Sequence, residues 1–149
     1  MKKFKFKLEP LYTFRKYKER VAQQETAKAQ LDVRTCEKQI ARLEQAWDDQ
    51  AEAMESVAFE GVPAARFQQY YDYLTAVESG IAVEKMRKAD LDRVLTEKLL
   101  ELKKKSVDKR AMEVYRDKMK TRYTLDVLQA EQKELDEIST LKTARKSGQ

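Results

Sequence analysis

The chain has 149 residues, a formal net charge of +5 and a charged fraction of 38%, but only three glycines and two prolines. Many-stranded sandwiches, barrels and α/β folds need a chain reversal about every 8–12 residues, and glycine and proline supply most of these reversals. The composition therefore excludes such folds and predicts an all-α protein with long helices.

The residue types that are missing also exclude classes of chemistry. Without histidine, the chain cannot form a Ser-His-Asp triad, a Cys-His pair or a histidine-bound zinc site. Its glycines, Gly61, Gly80 and Gly148, do not form a phosphate-binding loop or a dinucleotide-binding turn. Cys36 is single and cannot form an intramolecular disulfide. We expect a non-enzymatic protein without cofactor or metal, and a cytoplasmic location, since the sequence contains no signal-like stretch and no apolar run of roughly 18 residues.

Proline and glycine divide the chain into two helical stretches. Helix one is predicted from about residue 10, where Pro10 suits the first turn of a helix, to about 59. Gly61-Val62-Pro63 lies in the predicted turn at 60–63, because glycine can adopt positive φ at a helix end and proline can begin the next helix. Helix two is predicted from about 64 to 141 and is followed by a disordered basic tail. We interpret residues 1–149 as a single coiled-coil domain.

Apolar residues recur in both helices at the three-four spacing of a coiled-coil seam. In helix one the seam comprises Ala22, Ala29, Val33, Cys36, Ile40, Leu43, Trp47, Met54 and Val57. In helix two it comprises Phe67, Tyr70, Leu74, Val77, Ile81, Leu91, Leu95 and Leu102. Each stripe is too narrow for a globular core, so the prediction is a long antiparallel two-helix coiled-coil hairpin with a longer second helix.

The unequal helix lengths leave the end of helix two without an intramolecular partner. With the turn centred near residue 61, residue i faces roughly residue 121 minus i, and everything after about Lys118 has no residue opposite. The residues there that are apolar at helical spacing are Leu125, Leu128, Leu135 and Ile138. This stripe predicts a binding surface, while fraying, a bend back onto the hairpin and self-association stay open as alternatives.

Positive charge is concentrated in two segments that the hairpin brings side by side. Residues 1–20 hold eight Lys or Arg against two Glu, and residues 103–122 hold nine against three acids. We expect this basic end to dock onto an acidic partner. Its basic docking surface comprises Lys103, Lys104, Lys105, Lys109 and Arg110. Nucleic acid and an anionic membrane surface are weaker alternatives, suggested by the alternating segment Lys3-Phe4-Lys5-Phe6-Lys7.

Several motifs follow one another in a specific order. The chain opens with Phe4-x-Phe6-x-Leu8-x-x-Leu11, followed by Arg15 and Glu19. An Ala-rich first helix and a Gly-containing turn lead to an aromatic block, Phe67-x-x-Tyr70-Tyr71-x-Tyr73-Leu74, with Ile81 beyond it. Leu135-Asp136-Glu137-Ile138 lies near a basic C-terminus. Over nearly the whole chain this order resembles the FliJ family, the small proteins of the bacterial flagellar type III export apparatus.

The resemblance implies a non-enzymatic, central-stalk-like coiled coil at the cytoplasmic base of the flagellum. Its implied partners are the ring of the flagellar export ATPase, the export-gate membrane protein and the chaperones of export substrates. Carried over to this sequence, the gate contact falls on Tyr73 and Val77, with Phe67, Tyr70 and Leu74 beside them. The ATPase contact falls on Phe4, Phe6, Leu8, Leu11 and Arg15, together with Leu135, Asp136, Glu137 and Ile138. The equivalent stalk of a virulence injectisome is the nearest alternative.

The residues of the aromatic block allow two interpretations. Phe67, Tyr70, Leu74 and Val77 occupy seam positions, where packing in the core is the simpler expectation. Tyr73 lies off the seam, and exposed tyrosines are favoured at protein interfaces because they offer a large rigid surface and a hydroxyl. Tyr73 is therefore the predicted recognition residue of this block.

Overall fold

The computed structural model describes residues 2–148 and contains two long α-helices. Helix α1 spans Glu9–Glu60 and helix α2 spans Ala64–Ser147. The two helices pack against each other as a hairpin, and α2 is the longer. The predicted all-α class and the hairpin with a longer second helix are confirmed.

The turn between the helices has the predicted chemistry. Gly61 follows the last residue of α1 and has a φ of 74°, the left-handed conformation that glycine adopts without a steric penalty. The Pro63 carbonyl accepts hydrogen bonds from the backbone N–H groups of Arg66 and Phe67, at 3.0 and 3.3 Å. Pro63 itself needs no partner for an N–H, so it suits the position immediately before α2.

The two interior glycines are expected to respond in opposite ways to alanine. Gly80 lies inside α2, and an added Cβ would meet Leu43 Cδ1 at 3.7 Å, an ordinary van der Waals contact. Gly80→Ala should therefore raise the free energy of unfolding by about 1 kcal/mol, the difference in helix propensity. Gly61→Ala should lower it by roughly 1–2 kcal/mol, because alanine resists the left-handed conformation. Urea unfolding of both variants tests this, and a destabilised Gly80→Ala would contradict it.

The residues form two compact units, each of which contains part of α1 and part of α2. One unit consists of the residues up to Glu19 and those from Lys104 onward, and the other of Arg20–Lys103. The single coiled-coil domain over 1–149 stays a prediction.

The unit Arg20–Lys103 has the predicted seam as its core. Its buried apolar residues are Ala22, Ala29, Val33, Cys36 and Ile40 of α1, with Leu74 and Val77 of α2. The Thr26 hydroxyl, also buried, bonds to the Ala22 carbonyl at 2.8 Å and lies 3.3 Å from the Lys98 carbonyl. Trp47 is half-buried and donates from Nε1 to Glu78 Oε1 at 3.1 Å. Small residues at the seam let the helices approach closely, and the larger ones fill the remaining space.

In the other unit, the segment before α1 folds onto α2. The Phe4 and Tyr123 rings lie 5.6 Å apart, and the Phe6 and Tyr115 rings 5.9 Å apart. The Tyr123 hydroxyl donates to the Lys2 carbonyl. Intramolecular packing on α2 therefore extends to Tyr123, beyond the limit predicted near Lys118, because residues 2–6 cover this part of the helix.

Residues that face each other lie three to four positions further along α2 than predicted. The Tyr12 side chain reaches Glu113 rather than residue 109, and Thr26 reaches Lys98 rather than residue 95. The cause is the turn, which comprises residues 61–63 and is centred on Val62.

The end of α2 also differs from the prediction. The helix continues to Ser147, beyond the end predicted at about residue 141. No glycine or proline interrupts the chain before Gly148, and Arg145 and Lys146 lie in the last turn, where positive charge is favourable to the helix dipole.

Candidate functional site

The N-terminal segment and α2 together form a surface groove of about 490 Å³. Its lining residues are Phe4, Lys5, Phe6, Lys7 and Leu8 with Tyr115, Met119, Arg122, Tyr123 and Asp126. Phe4 and Phe6 are half-buried in these ring contacts, whereas Leu8 and Leu11 are each 39% exposed. The groove is thus lined by aromatic rings and by the exposed Leu8, a surface suited to a partner's apolar side chains.

The residues of α2 that form this groove were not identified from the sequence. Tyr115, Met119 and Tyr123 follow at intervals of four residues and therefore share one helix face. That spacing was the available signal, but Met119 and Tyr123 lay beyond the predicted end of the hairpin contact near Lys118.

A polar cluster joins α1 to α2 in the same unit. Lys109 Nζ lies 3.0 Å from Glu19 Oε1 and 3.8 Å from Glu113 Oε1. The Tyr12 hydroxyl donates to Glu113 Oε1 at 3.2 Å, and Arg110 donates to Glu113 Oε2 at 3.1 Å. Glu19 is among the most buried charged residues described, at 8% exposure, and Lys109 supplies its compensating charge.

The cluster shifts two pKa values. The hydrogen bond to Glu19 raises the pKa of Lys109 above its usual range. The pKa of Glu113 is lowered, chiefly by the hydrogen bond from Arg110 and further by the one from Tyr12. The Glu113 contribution to stability is complete above the unfolded carboxylate pKa of about 4.3 and is lost as the pH falls through the folded pKa. The Lys109 contribution is complete below about 10.4 and is lost as the pH rises through its folded pKa.

The predicted basic docking surface separates into structural and exposed residues. Lys109 binds Glu19 across the helices, so its charge is already paired within the hairpin, and its place in the docking surface stays a prediction. Arg110 is exposed but pairs with Glu113, and Lys105 is half-buried. Lys103 and Lys104 are exposed and form no ion pair with another described residue. Of the five residues, these two present exposed charge without an ion pair to another described residue, and the docking surface itself stays a prediction.

The two halves of the predicted ATPase contact lie apart along α2. Arg15 donates to the Asp108 carbonyl at 3.0 Å, while Phe4 packs against Tyr123. Leu135 lies 12 residues beyond Tyr123, about 18 Å along a helix. The residues of the C-terminal half, Leu135, Asp136, Glu137 and Ile138, are all exposed. The structure therefore offers two separate surfaces and does not join them in one site.

The aromatic block divides in the same way between core and surface. Leu74 and Val77 are 7% and 8% exposed, so they belong to the core and have almost no side-chain surface for a partner. Tyr70 is half-buried, and Phe67 and Tyr73 are 43% and 45% exposed. A groove of about 380 Å³ runs beside the two tyrosines and is lined by Gln50, Arg66, Gln69, Tyr70 and Tyr73. The available surface of this block is thus an aromatic patch with one arginine.

Among the described residues, neither helix is both long enough and apolar enough to cross a membrane. The protein is therefore a coiled-coil hairpin of two long helices with exposed aromatic and aliphatic surfaces.

The sequence model described as Flagellar FliJ protein matches residues 4–148. The chain therefore belongs to the FliJ family and is a protein of flagellar export. No curated protein and no solved structure matches it.

Proposed function

We propose that this protein acts as a non-enzymatic, central-stalk-like coiled coil in flagellar protein export. It binds the ring of the export ATPase, promotes the assembly and activity of that ring, contacts the export-gate membrane protein and escorts the chaperones of export substrates. Its place is the cytoplasmic face of the inner membrane at the flagellar base. The match to the FliJ family over residues 4–148 is the observation that carries this proposal.

The ATPase-binding role rests on the exposed edge of the N-terminal groove. Leu8 lines the groove beside Phe4 and Phe6, where lysines alternate with the phenylalanines. Leu11 lies three residues after Leu8, outside the groove lining, and is equally exposed. Exposed aliphatic residues surrounded by positive charge suit a partner surface with an apolar centre and an acidic rim. The second proposed contact surface for the ATPase comprises the exposed residues Leu135 and Ile138, which lie further along α2.

The gate-binding role rests on the patch of Phe67, Tyr70 and Tyr73. These side chains are partly exposed near Arg66, and aromatic residues and arginine are enriched at the centres of protein interfaces. Leu74 and Val77 support the patch from the core below. Tyr73 is the residue whose own side chain meets the gate protein in this proposal.

The test of the ATPase role is hydrolysis of ATP by the export ATPase of the same organism, with and without this protein. We expect stimulation together with rings in electron micrographs. Leu11→Ser should raise the concentration needed for half-maximal stimulation about tenfold, since it removes one apolar contact from the interface. Leu31→Ser is the matched control, because Leu31 is an exposed leucine of the same helix outside the proposed surface.

Two results would contradict the proposal. One is equal loss of stimulation in Leu11→Ser and Leu31→Ser, and the other is no stimulation at all. Salt-sensitive binding to single-stranded DNA or anionic vesicles without any effect on the ATPase would instead favour a basic coiled-coil binder of nucleic acid or membrane. The ring contacts of Phe4 with Tyr123 and of Phe6 with Tyr115 weigh against stacking on bases, because these rings already have partners.

A further inference from the structure

The last five turns of α2 have no intramolecular contact surface. Every described residue from Leu128 onward is exposed, including the apolar residues Leu135, Ile138 and Leu141. The hydroxyl groups of Thr140, Thr143 and Ser147 bond only to carbonyls of the same helix. The charged residues of this segment form no ion pair with another described residue. This segment is a fully formed helix with an uncovered apolar stripe.

The charges on this stripe are arranged symmetrically about Ile138. Leu135 and Leu141 lie three residues before and after it, Glu134 and Lys142 four residues, and Glu131 and Arg145 seven residues. At about 100° per residue, all of these side chains lie within roughly 60° of Ile138 around the helix axis. The acidic half of the face therefore precedes Ile138, and the basic half follows it.

We propose that a second copy of this chain binds here, with the two α2 ends antiparallel about a two-fold axis at Ile138. In that arrangement Ile138 faces its own copy, and Leu135 faces Leu141. Glu134 of each copy then faces Lys142 of the other, and Glu131 faces Arg145, so that four ion pairs flank the apolar centre. Parallel pairing would set each of these charges against itself, so the charges select the antiparallel orientation.

The contact is small, and its affinity is correspondingly weak. The paired segment from Glu131 to Arg145 is about 21 Å long, and only three aliphatic residues of each copy lie at its centre. Interfaces below about 1,200 Å² of total buried area belong to weak and transient complexes. The inference does not depend on the proposed ATPase contact, but it has a consequence for it. Self-pairing covers Leu135 and Ile138, so it excludes any other partner from them.

Sedimentation equilibrium of the full chain, from about 10 µM to about 1 mM, tests the pairing. The weight-average mass of the wild type should rise from the monomer value of 17.5 kDa toward twice that value. Glu131→Lys/Glu134→Lys should stay monomeric, because its face becomes wholly basic. Lys142→Glu/Arg145→Glu should stay monomeric, because its face becomes wholly acidic. An equimolar mixture of these two variants should form dimers, since the acidic face of one complements the basic face of the other.

A matched control separates pairing on this face from a general effect of charge. Asp126→Lys/Asp136→Lys makes the same change in net charge, but Asp126 and Asp136 lie about 120° and 160° from Ile138 around the axis. This variant should dimerise like the wild type. Monomeric wild type, loss of dimer in the control, or no dimer in the mixture of opposite variants would each overturn the proposal. If the chain stays monomeric while Ile138→Ser loses binding to the export ATPase, the stripe belongs to the ATPase instead.

Discussion

Leu74→Ala is expected to lower the free energy of unfolding by about 2–5 kcal/mol, the cost of removing a buried leucine and leaving a cavity. Leu74 is 7% exposed and belongs to the same core as Val33 and Ile40 of α1. Chemical denaturation of the full chain, followed by circular dichroism, measures the change. Gate binding should fall in this variant only as far as the folded population falls, because the side chain does not reach the surface.

Tyr73→Ala is the comparison that separates recognition from folding. Tyr73 directly precedes Leu74 in the sequence but is 45% exposed. Because its side chain is at the surface, we expect the free energy of unfolding to change by no more than about 0.5 kcal/mol. Its affinity for the gate protein should nevertheless fall about tenfold. Tyr17→Ala is the control for loss of an exposed tyrosine, because Tyr17 lies outside the aromatic block and is 57% exposed. If Leu74→Ala lost gate binding at unchanged stability, its assignment to the core would be wrong.

The hairpin could be predicted because its determinants are local or periodic. The three-four spacing of Ala22, Ala29, Val33, Cys36 and Ile40 places them on one face of any α-helix, and all five are buried. Gly61 marked the end of α1 through its own conformational freedom, and it has the positive φ expected of it. Neither inference needed knowledge of a distant contact.

The N-terminal groove could not be predicted, because it depends on contacts between distant parts of the chain. Lysine and phenylalanine alternate in residues 3–7, a pattern that does not indicate a partner on a helix, and the partners of Phe4 and Phe6, Tyr123 and Tyr115, are more than a hundred residues away. The predicted hairpin set residues 1–20 beside residues 103–122 as charged segments, and nothing in their sequence indicated aromatic packing between them. The predicted limit of the intramolecular contact, near Lys118, fell short because the predicted register was three to four positions short along α2.

The division of the predicted sites into core and surface also needed the three-dimensional arrangement. The resemblance to the FliJ family placed Leu74 and Val77 in the gate contact, whereas their seam positions favoured the core. Both residues are buried, as the seam positions indicated. Lys109 looked like any other lysine of a basic segment, since sequence alone does not show that Glu19 lies 3.0 Å from its Nζ. Helix register decides which charges meet, and a shift of three residues is enough to change every pair.

Reversing Lys109 should destabilise the unit that contains it more than any other single charge change in residues 103–122. In Lys109→Glu, the buried Glu19 would face a second carboxylate, and Glu113 would lie one helical turn from it with the same sign. We expect the midpoint of thermal unfolding, followed by circular dichroism, to fall by several degrees. Lys104→Glu is the matched control, because Lys104 is exposed and forms no ion pair with another described residue, and it should change the midpoint little.

The exchange variant Glu19→Lys/Lys109→Glu tests whether the loss comes from this pair. It restores opposite charges across α1 and α2 at the same positions, so it should recover part of the midpoint lost in Lys109→Glu. Recovery should be incomplete, because the new glutamate still lies beside Glu113. An exchange variant no more stable than Lys109→Glu would show that Glu19 and Lys109 do not interact across the helices. The charge of Lys109 would then be free for the predicted basic docking surface.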